Sequence, residues 1–177
     1  MKKQSRIYKL TTTALMAAVI CILGPLSIPI GVVPISFTSL AIFLALYAIG
    51  VKYGTISYGV YLLIGLCGVP VFSGFSGGPA KLFGPTGGYL IGFIFMAVIS
   101  GWFIERHPER RWMCLLGMVL GTLVLYLFGT AWLAYQAQLS FTAALAVGVI
   151  PFIVGDMAKI GIALFVGPQI RKRLIRN

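Results

Sequence analysis

The chain has 177 residues, of which 59% are hydrophobic and only 10% are charged, and its formal net charge is +11. A soluble domain of this length usually carries about 25% charged residues, so there is too little polar surface here to cover a water-soluble globule. The cations do not indicate a nucleic-acid-binding protein, because they cluster at the ends of apolar runs, as in membrane proteins. Composition therefore favours a single integral membrane domain over residues 1–177.

Six apolar runs predict an all-α protein, a compact bundle of six transmembrane helices. The second and third runs are shorter than the ~20 residues of an ideal span, which predicts thin spans or spans buried against their neighbours. The first run follows four cations, but no small-residue cleavage site follows it, so we expect a retained helix and not a signal peptide. The runs cover residues 10–26, 35–50, 53–66, 88–104, 112–133 and 141–166.

The basic residues predict the orientation of the chain. With the N-terminus inside and six spans, 12 of the 14 Lys and Arg residues lie on the cytoplasmic side, and the exceptions are Lys81 and Lys159. This asymmetry predicts a multi-pass protein of the cell membrane with both termini in the cytoplasm. The cytoplasmic set is Lys2, Lys3, Arg6, Lys9, Lys52, Arg106, Arg110, Arg111, Arg171, Lys172, Arg173 and Arg176.

The two longer connections on the outer side are unusual. The first, residues 24–34, contains no charge. The second, the glycine-rich loop of residues 68–88, has seven glycines and three prolines among its 21 residues, which excludes a regular helix throughout. We expect this loop to fold back onto the helices, as a lid over a binding cavity or as a rigid re-entrant cap. The expectation rests on its apolar residues Val69, Val71, Phe72, Phe75, Leu82 and Phe83.

Enzyme chemistry finds little support. The glycine-rich loop lacks the spacing of a Walker A or dinucleotide-binding motif, and Lys81 follows Ala80. The single histidine, His107, lies in a charged loop with Glu105 and Glu109, whose carboxylates are expected to be solvated. We therefore predict neither an enzyme nor a bound metal or cofactor.

The three cysteines, Cys21, Cys67 and Cys114, each lie in or at the end of an apolar segment. Without a CxxC pair or a neighbouring histidine, they are expected to be small buried side chains and neither disulfides nor metal ligands.

Asp156 and Lys159 lie inside the last apolar run. A charge at the centre of a membrane helix costs roughly 2.5–3.5 kcal/mol, so such residues usually have a function. Their i, i+3 spacing puts them on one helix face, where they can pair. The pair is expected either to fix helix packing or to anchor a ligand in an otherwise apolar pocket.

Two further features have alternative interpretations. Ala14 and Ala18 form a flat small-residue strip on the first helix, which can pack within the chain or dock onto another membrane subunit. Trp132 and Tyr135 near the end of the fifth run fit an aromatic belt, although stacking on a ligand ring is also open.

Three segments resemble the BioY family, the biotin-specific capture subunits of energy-coupling-factor transporters. They are VPISFTSLAIFLALYAIG, GVPVFSGFSGGPAKLFGPTGGYLIGF and PFIVGDMAK, of which GPTGGY and PFxxGDxxK are the most specific elements. The resemblance spans nearly the whole chain. It implies a six-helix bundle whose outer pocket is roofed by the first and third-to-fourth connections.

The resemblance also implies partners and site residues. Biotin is the expected ligand, and Ala14 and Ala18 are expected to dock on a transmembrane coupling subunit that carries two ATP-binding cassette ATPases. Two alternatives stay open. The chain could be a self-sufficient proton-coupled carrier with Asp156 as its proton site, or a capture subunit for another vitamin such as thiamine. The residues expected near the ligand are Asp156, Lys159, Phe75, Ser76, Gly78, Lys81, Thr86, Tyr89 and Trp132.

Overall fold

A computed structural model describes residues 6–29 and 33–176. Lys2 and Lys3, which contribute to the predicted orientation, lie outside the described residues. Helices make up most of the fold, and a two-stranded antiparallel sheet pairs Ser27 with Ser36 and Ile28 with Ile35. In chain order the elements are α1 (Arg6–Leu23), β1 (Ser27–Ile28), β2 (Ile35–Ser36), α2 (Thr38–Leu66), α3 (Pro79–Phe83), α4 (Gly87–Arg106), α5 (Arg111–Gln136), α6 (Phe141–Gly148) and α7 (Ile150–Arg176).

Within the described residues, five helices are long and apolar enough to cross a membrane, namely α1, α2, α4, α5 and α7. The prediction of a mostly helical membrane protein is confirmed. The short β1–β2 pair was not predicted, because two-residue strands leave no periodic signal in the sequence.

Helix α2 contains the third predicted run and the second from Thr38 onward, since the first two residues of the second run form β2, and the helix is broken at Gly50. The backbone there has φ 79° and ψ 176°, a region that is essentially restricted to glycine. A Cβ placed on Gly54 would lie 3.3 Å from the Cα of Leu46. Eight residues of continuous helix would separate these positions by about 12 Å, so the chain folds back on itself at Gly50.

Glu105 stabilises this reversal. Its carboxylate Oε2 accepts a hydrogen bond of 3.1 Å from the N–H of Val51, the first residue after the break. Glu105 is exposed, as expected of a solvated charge, but it lies at the end of α4 and has this structural contact in addition. The backbone donor lies 54 positions earlier in the chain, and the sequence alone does not reveal such a distant partner.

The glycine-rich loop folds back onto the helices. Phe72 is fully buried, its ring lies 5.6 Å from that of Tyr61, and the N–H of Gly74 donates to the carbonyl of Pro25 in the first connection. The apolar residues of the loop do not behave alike, since Val71 is also buried whereas Val69, Phe75 and Phe83 are exposed. One segment of the loop, α3, is helical after all, because Pro79 at its start suits a first helical turn.

The sixth predicted run is divided at Val149 into α6 and α7. Pro151 explains the break, because a proline cannot donate to the carbonyl of Val147 and its ring clashes with that carbonyl. The carbonyl of Gly148 also lacks its helical partner, because the N–H of Phe152 donates to the carbonyl of Val149, and it accepts from the hydroxyl of Tyr89 instead, at 2.9 Å. Helix α7 also continues past the predicted end at residue 166 as far as Arg176.

The cysteines differ in burial. Cys114 is buried as predicted and Cys21 is partly buried, but Cys67 is exposed. The prediction is wrong for Cys67 because α2 ends at Leu66, so that this residue lies at the surface where the glycine-rich loop begins.

Gly50→Ala is expected to lower the free energy of unfolding by roughly 1–3 kcal/mol, because alanine cannot adopt the backbone conformation of Gly50 without strain. Gly59→Ala is the matched control, since Gly59 lies within α2 and a Cβ there meets nothing within 4 Å. The control should be neutral or stabilise by up to about 1 kcal/mol. Thermal denaturation in detergent measures both, and equal melting temperatures would contradict the reversal at Gly50.

Candidate functional site

The centre of the site is a buried ion pair on α7. The ammonium Nζ of Lys159 lies 2.8 Å from Oδ1 of Asp156, and the two residues are 6% and 8% exposed. The i, i+3 spacing on a helix makes this contact possible, as the sequence predicted. Each charge offsets part of the cost of burying the other.

Three further elements hold the pair. The hydroxyl of Tyr126 on α5 donates to Oδ2 of Asp156 at 2.6 Å, and the hydroxyl of Ser39 on α2 lies 3.4 Å from Oδ1. Lys159 also donates to the carbonyl of Ser36 in β2, at 2.7 Å. The pair thus connects α7 with α5, with the start of α2 and with β2 in the connection between α1 and α2.

A cavity opens beside the pair, and the space between its lining residues, open solvent included, is about 620 Å³. Aromatic rings form much of its wall, from Tyr61, Tyr89, Phe93, Tyr126 and Phe152. Smaller apolar side chains complete the apolar part of the wall. The other polar residues that line the cavity are Ser36, Thr38, Ser39, Ser73, Lys81, Thr86, Asp156 and Lys159.

Five of the predicted ligand contacts lie together at this cavity, namely Asp156, Lys159, Lys81, Thr86 and Tyr89. Lys81 lies on α3, in the glycine-rich loop, and burial lowers the pKa of its ammonium group. Thr86 and Tyr89 come from the start of α4, so the GPTGGY segment contributes directly to the wall.

The four other predicted contacts do not line the cavity. Phe75 has a positive φ of 54° and its side chain is 67% exposed, whereas Ser76 donates to the carbonyl of Ser73 within the loop. Gly78 caps the start of α3, and its N–H donates to the carbonyl of Gly65. These residues shape the loop that carries Ser73 and Lys81.

Trp132 supports the site from outside. Its indole Nε1 donates to the carbonyl of Gly84 at 2.9 Å. A Cβ on Gly88 would lie 2.2 Å from the Cβ of Trp132, so only glycine permits this close packing of α5 on α4. Trp132 thereby fixes the start of α4, which carries Thr86 and Tyr89.

Sequence reasoning missed Ser39 and Tyr126, both of which bond to Asp156. Ser39 belongs to a polar group in an otherwise apolar segment, Ser36, Thr38 and Ser39, and this was a signal that could have found it. Tyr126 left no comparable signal, because it is a lone tyrosine between apolar residues, with no polar group beside it in the sequence.

Ala14 and Ala18 face outward on α1, whereas Ala17 is buried against the rest of the fold. The small-residue strip therefore lies on the side of α1 that does not pack within the described chain. Only 17% of the residues of α1 are buried.

Known proteins are similar to this chain over most of its length. The biotin transporter BioY2 of Lactococcus lactis subsp. cremoris is 35% identical, over 89% of this chain and 86% of its own length. The biotin transporter BioY of Thermotoga maritima is also 35% identical, over 93% and 96% respectively.

A solved structure shares the fold. The crystal structure of the S-component for biotin from an ECF-type ABC transporter superposes with a TM-score of 0.88 at 34% sequence identity, and the match covers 97% of this chain and 95% of that one. The model of the BioY family matches residues 1–176. Because the family model matches nearly the full length of the chain, and because the sequences and the fold are similar, this chain belongs to the BioY family.

Proposed function

We propose that this chain is a non-enzymatic, substrate-specific subunit that captures biotin in an outward-facing pocket, as the first step of its uptake across the cell membrane. The similar proteins carry the names of biotin transporters and of a biotin S-component. The observation that carries the proposal is the buried Asp156–Lys159 pair in the wall of a largely aromatic cavity.

The hydrogen-bonding capacity of the pair suits a cyclic urea. An ammonium group has three donors, of which Lys159 uses two, on Ser36 and Asp156. A carboxylate has about four acceptor positions, of which Asp156 uses three as far as the described residues go. One donor and one acceptor are left for a ligand, and the ureido ring of biotin presents an acceptor carbonyl and donor N–H groups.

The rest of the cavity suits the rest of the molecule. Aromatic side chains such as Tyr61, Phe93 and Phe152 can bury the apolar bicyclic body of biotin. Lys159 is already bound to Asp156, so Lys81 is the better candidate to meet the carboxylate of the biotin tail. A carboxylate near Lys81 would also favour the charged form of its ammonium group.

The proposal includes six spans, a single substrate-binding domain and cytoplasmic termini. The reversal at Gly50 supports six spans, because it divides α2 into two helices. Arg106, Arg110 and Arg111 beside the connection between α4 and α5 support the orientation. Ser73 and Lys81 on the cavity wall support the glycine-rich loop as a lid.

The proposed partner is a transmembrane coupling subunit with two ATP-binding cassette ATPases. The sequence has no visible nucleotide-binding motif, so energy for uphill transport would come from a partner or from an ion gradient, and ATPases in a partner would supply it. The outward-facing Ala14 and Ala18 offer a flat surface on which a helix of such a subunit can pack closely.

Purified protein is expected to bind about one biotin per chain without ATP, because one ion pair lines one cavity. Isothermal titration in detergent measures the binding. Thiamine and riboflavin are the control ligands and should give no heat. Heat from either vitamin and none from biotin would mean that the substrate is wrong.

Asp156→Asn and Lys159→Ala are each expected to weaken biotin binding by about 10- to 150-fold, because each variant loses one charge-assisted hydrogen bond to the ligand. Each also leaves one buried charge unpaired, which typically costs roughly 3–5 kcal/mol of stability. Titration and melting curves on the same samples separate the two effects.

The double variant Asp156→Asn, Lys159→Met is the control for this experiment. It removes both charges, so stability should partly recover while affinity stays low. Wild-type affinity in a well-folded double variant would mean that the pair only holds the helices together.

Ala14→Trp and Ala18→Trp are expected to prevent co-purification with the coupling complex and to leave biotin binding intact, because an indole blocks close helix approach. Ala131→Trp is the matched control, since Ala131 is an exposed alanine on α5, and it should keep both properties. Loss of biotin binding with an intact complex would mean that the strip packs within the chain.

A further inference from the structure

A second hollow lies beside Asp156, between α5 and α7, and the space between its lining residues, open solvent included, is about 490 Å³. Most of its lining is aliphatic, and Leu123, Ile153 and Met157 on its rim are about half exposed. These residues lie on α5 and α7, which are long and apolar enough to cross a membrane, so in a bilayer their exposed side chains would meet hydrocarbon.

Tyr126 and Asp156 line both hollows. They therefore form the wall between the proposed biotin pocket and the lipid-facing side. A carboxylate beside hydrocarbon is costly unless its oxygens have hydrogen-bond partners. The two oxygens of Asp156 differ in this respect.

Oδ1 accepts from Lys159 at 2.8 Å and lies 3.4 Å from the hydroxyl of Ser39. In the described part of the chain, Oδ2 accepts from Tyr126 alone, at 2.6 Å. The remaining acceptor position of the carboxylate is thus on Oδ2, and the direction of that oxygen depends on a single hydroxyl group.

We propose that Tyr126 is a positioning residue for the ligand, whose hydroxyl fixes Oδ2 of Asp156 so that its remaining acceptor position meets an N–H of the cyclic urea. The inference rests on the proposed function, because it assigns a role within the biotin site.

Tyr126→Phe is the direct test, because it keeps the ring and removes the hydroxyl. The variant is expected to bind biotin about 10-fold more weakly, near the lower limit for losing a hydrogen bond to a charged group. Competition against radiolabelled biotin measures the affinity. An unchanged affinity would overturn the proposal.

Tyr58→Phe is the matched control. Tyr58 is fully buried, its hydroxyl donates to the carbonyl of Leu90 at 2.7 Å, and it does not line the pocket. This variant also loses a buried hydroxyl, so its melting temperature should fall at least as far as that of Tyr126→Phe, while its affinity for biotin stays at the wild-type value. If the control lost affinity equally, the weaker binding of Tyr126→Phe would be explained by general destabilisation, and the proposal would be overturned.

Two measurements test whether Tyr126 acts through Asp156. The double variant Tyr126→Phe, Asp156→Asn should bind biotin no more weakly than Asp156→Asn alone, since the hydroxyl then has no carboxylate to orient. Independent, additive losses would overturn the proposal. In infrared spectra without ligand, the carboxylate stretch that disappears in Asp156→Asn should shift in Tyr126→Phe, and an unshifted band would also overturn it.

The two proposals fail in different ways. If wild-type protein does not bind biotin but the carboxylate band shifts in Tyr126→Phe, the substrate is wrong and the positioning of Asp156 stands. If wild-type protein binds biotin and Tyr126→Phe binds it equally well, the positioning role alone is wrong.

Discussion

The buried ion pair of Asp156 and Lys159 is the constraint on which the rest of the site depends. Two charges within a membrane helix are tolerated only when each has a partner and further hydrogen bonds. Here Tyr126, Ser39 and the carbonyl of Ser36 supply those bonds from α5, α2 and β2. The need to satisfy one carboxylate and one ammonium group therefore fixes how α7 lies against its neighbours and where the cavity opens.

Two breaks in the helices make room for this arrangement. At Gly50 the chain turns back, and Glu105 accepts from the backbone N–H that the turn leaves free. At Val149 the helix is interrupted before Pro151, and Tyr89 satisfies the carbonyl of Gly148. Where such a break is buried, no water is available for its free backbone groups, so the carbonyl of Gly148 requires a protein partner. The ring of Tyr89 lines the cavity as well, and one side chain thus serves both the backbone and the site.

The site was only partly predictable. Lys81, Thr86 and Tyr89 line the cavity as expected, but Phe75, Ser76, Gly78 and Trp132 do not. The first three of these lie in the glycine-rich loop, where positive φ angles at Phe75 and Gly78 replace regular periodicity. Side-chain direction in such a segment follows from contacts with distant residues, such as the bond from Gly78 to Gly65, and not from spacing along the chain.

The sequence by itself determined that the chain belongs in a membrane, that it is mostly helical and that Asp156 and Lys159 share a helix face. These properties depend on composition and on local periodicity, which are read along the chain. Only the tertiary structure decided that Glu105 bonds to Val51, that α6 and α7 are separate, and that Tyr126 and Ser39 converge on Asp156. Hydrogen bonds between residues 30 to 117 positions apart arise from helix packing, and packing leaves no local pattern in the sequence.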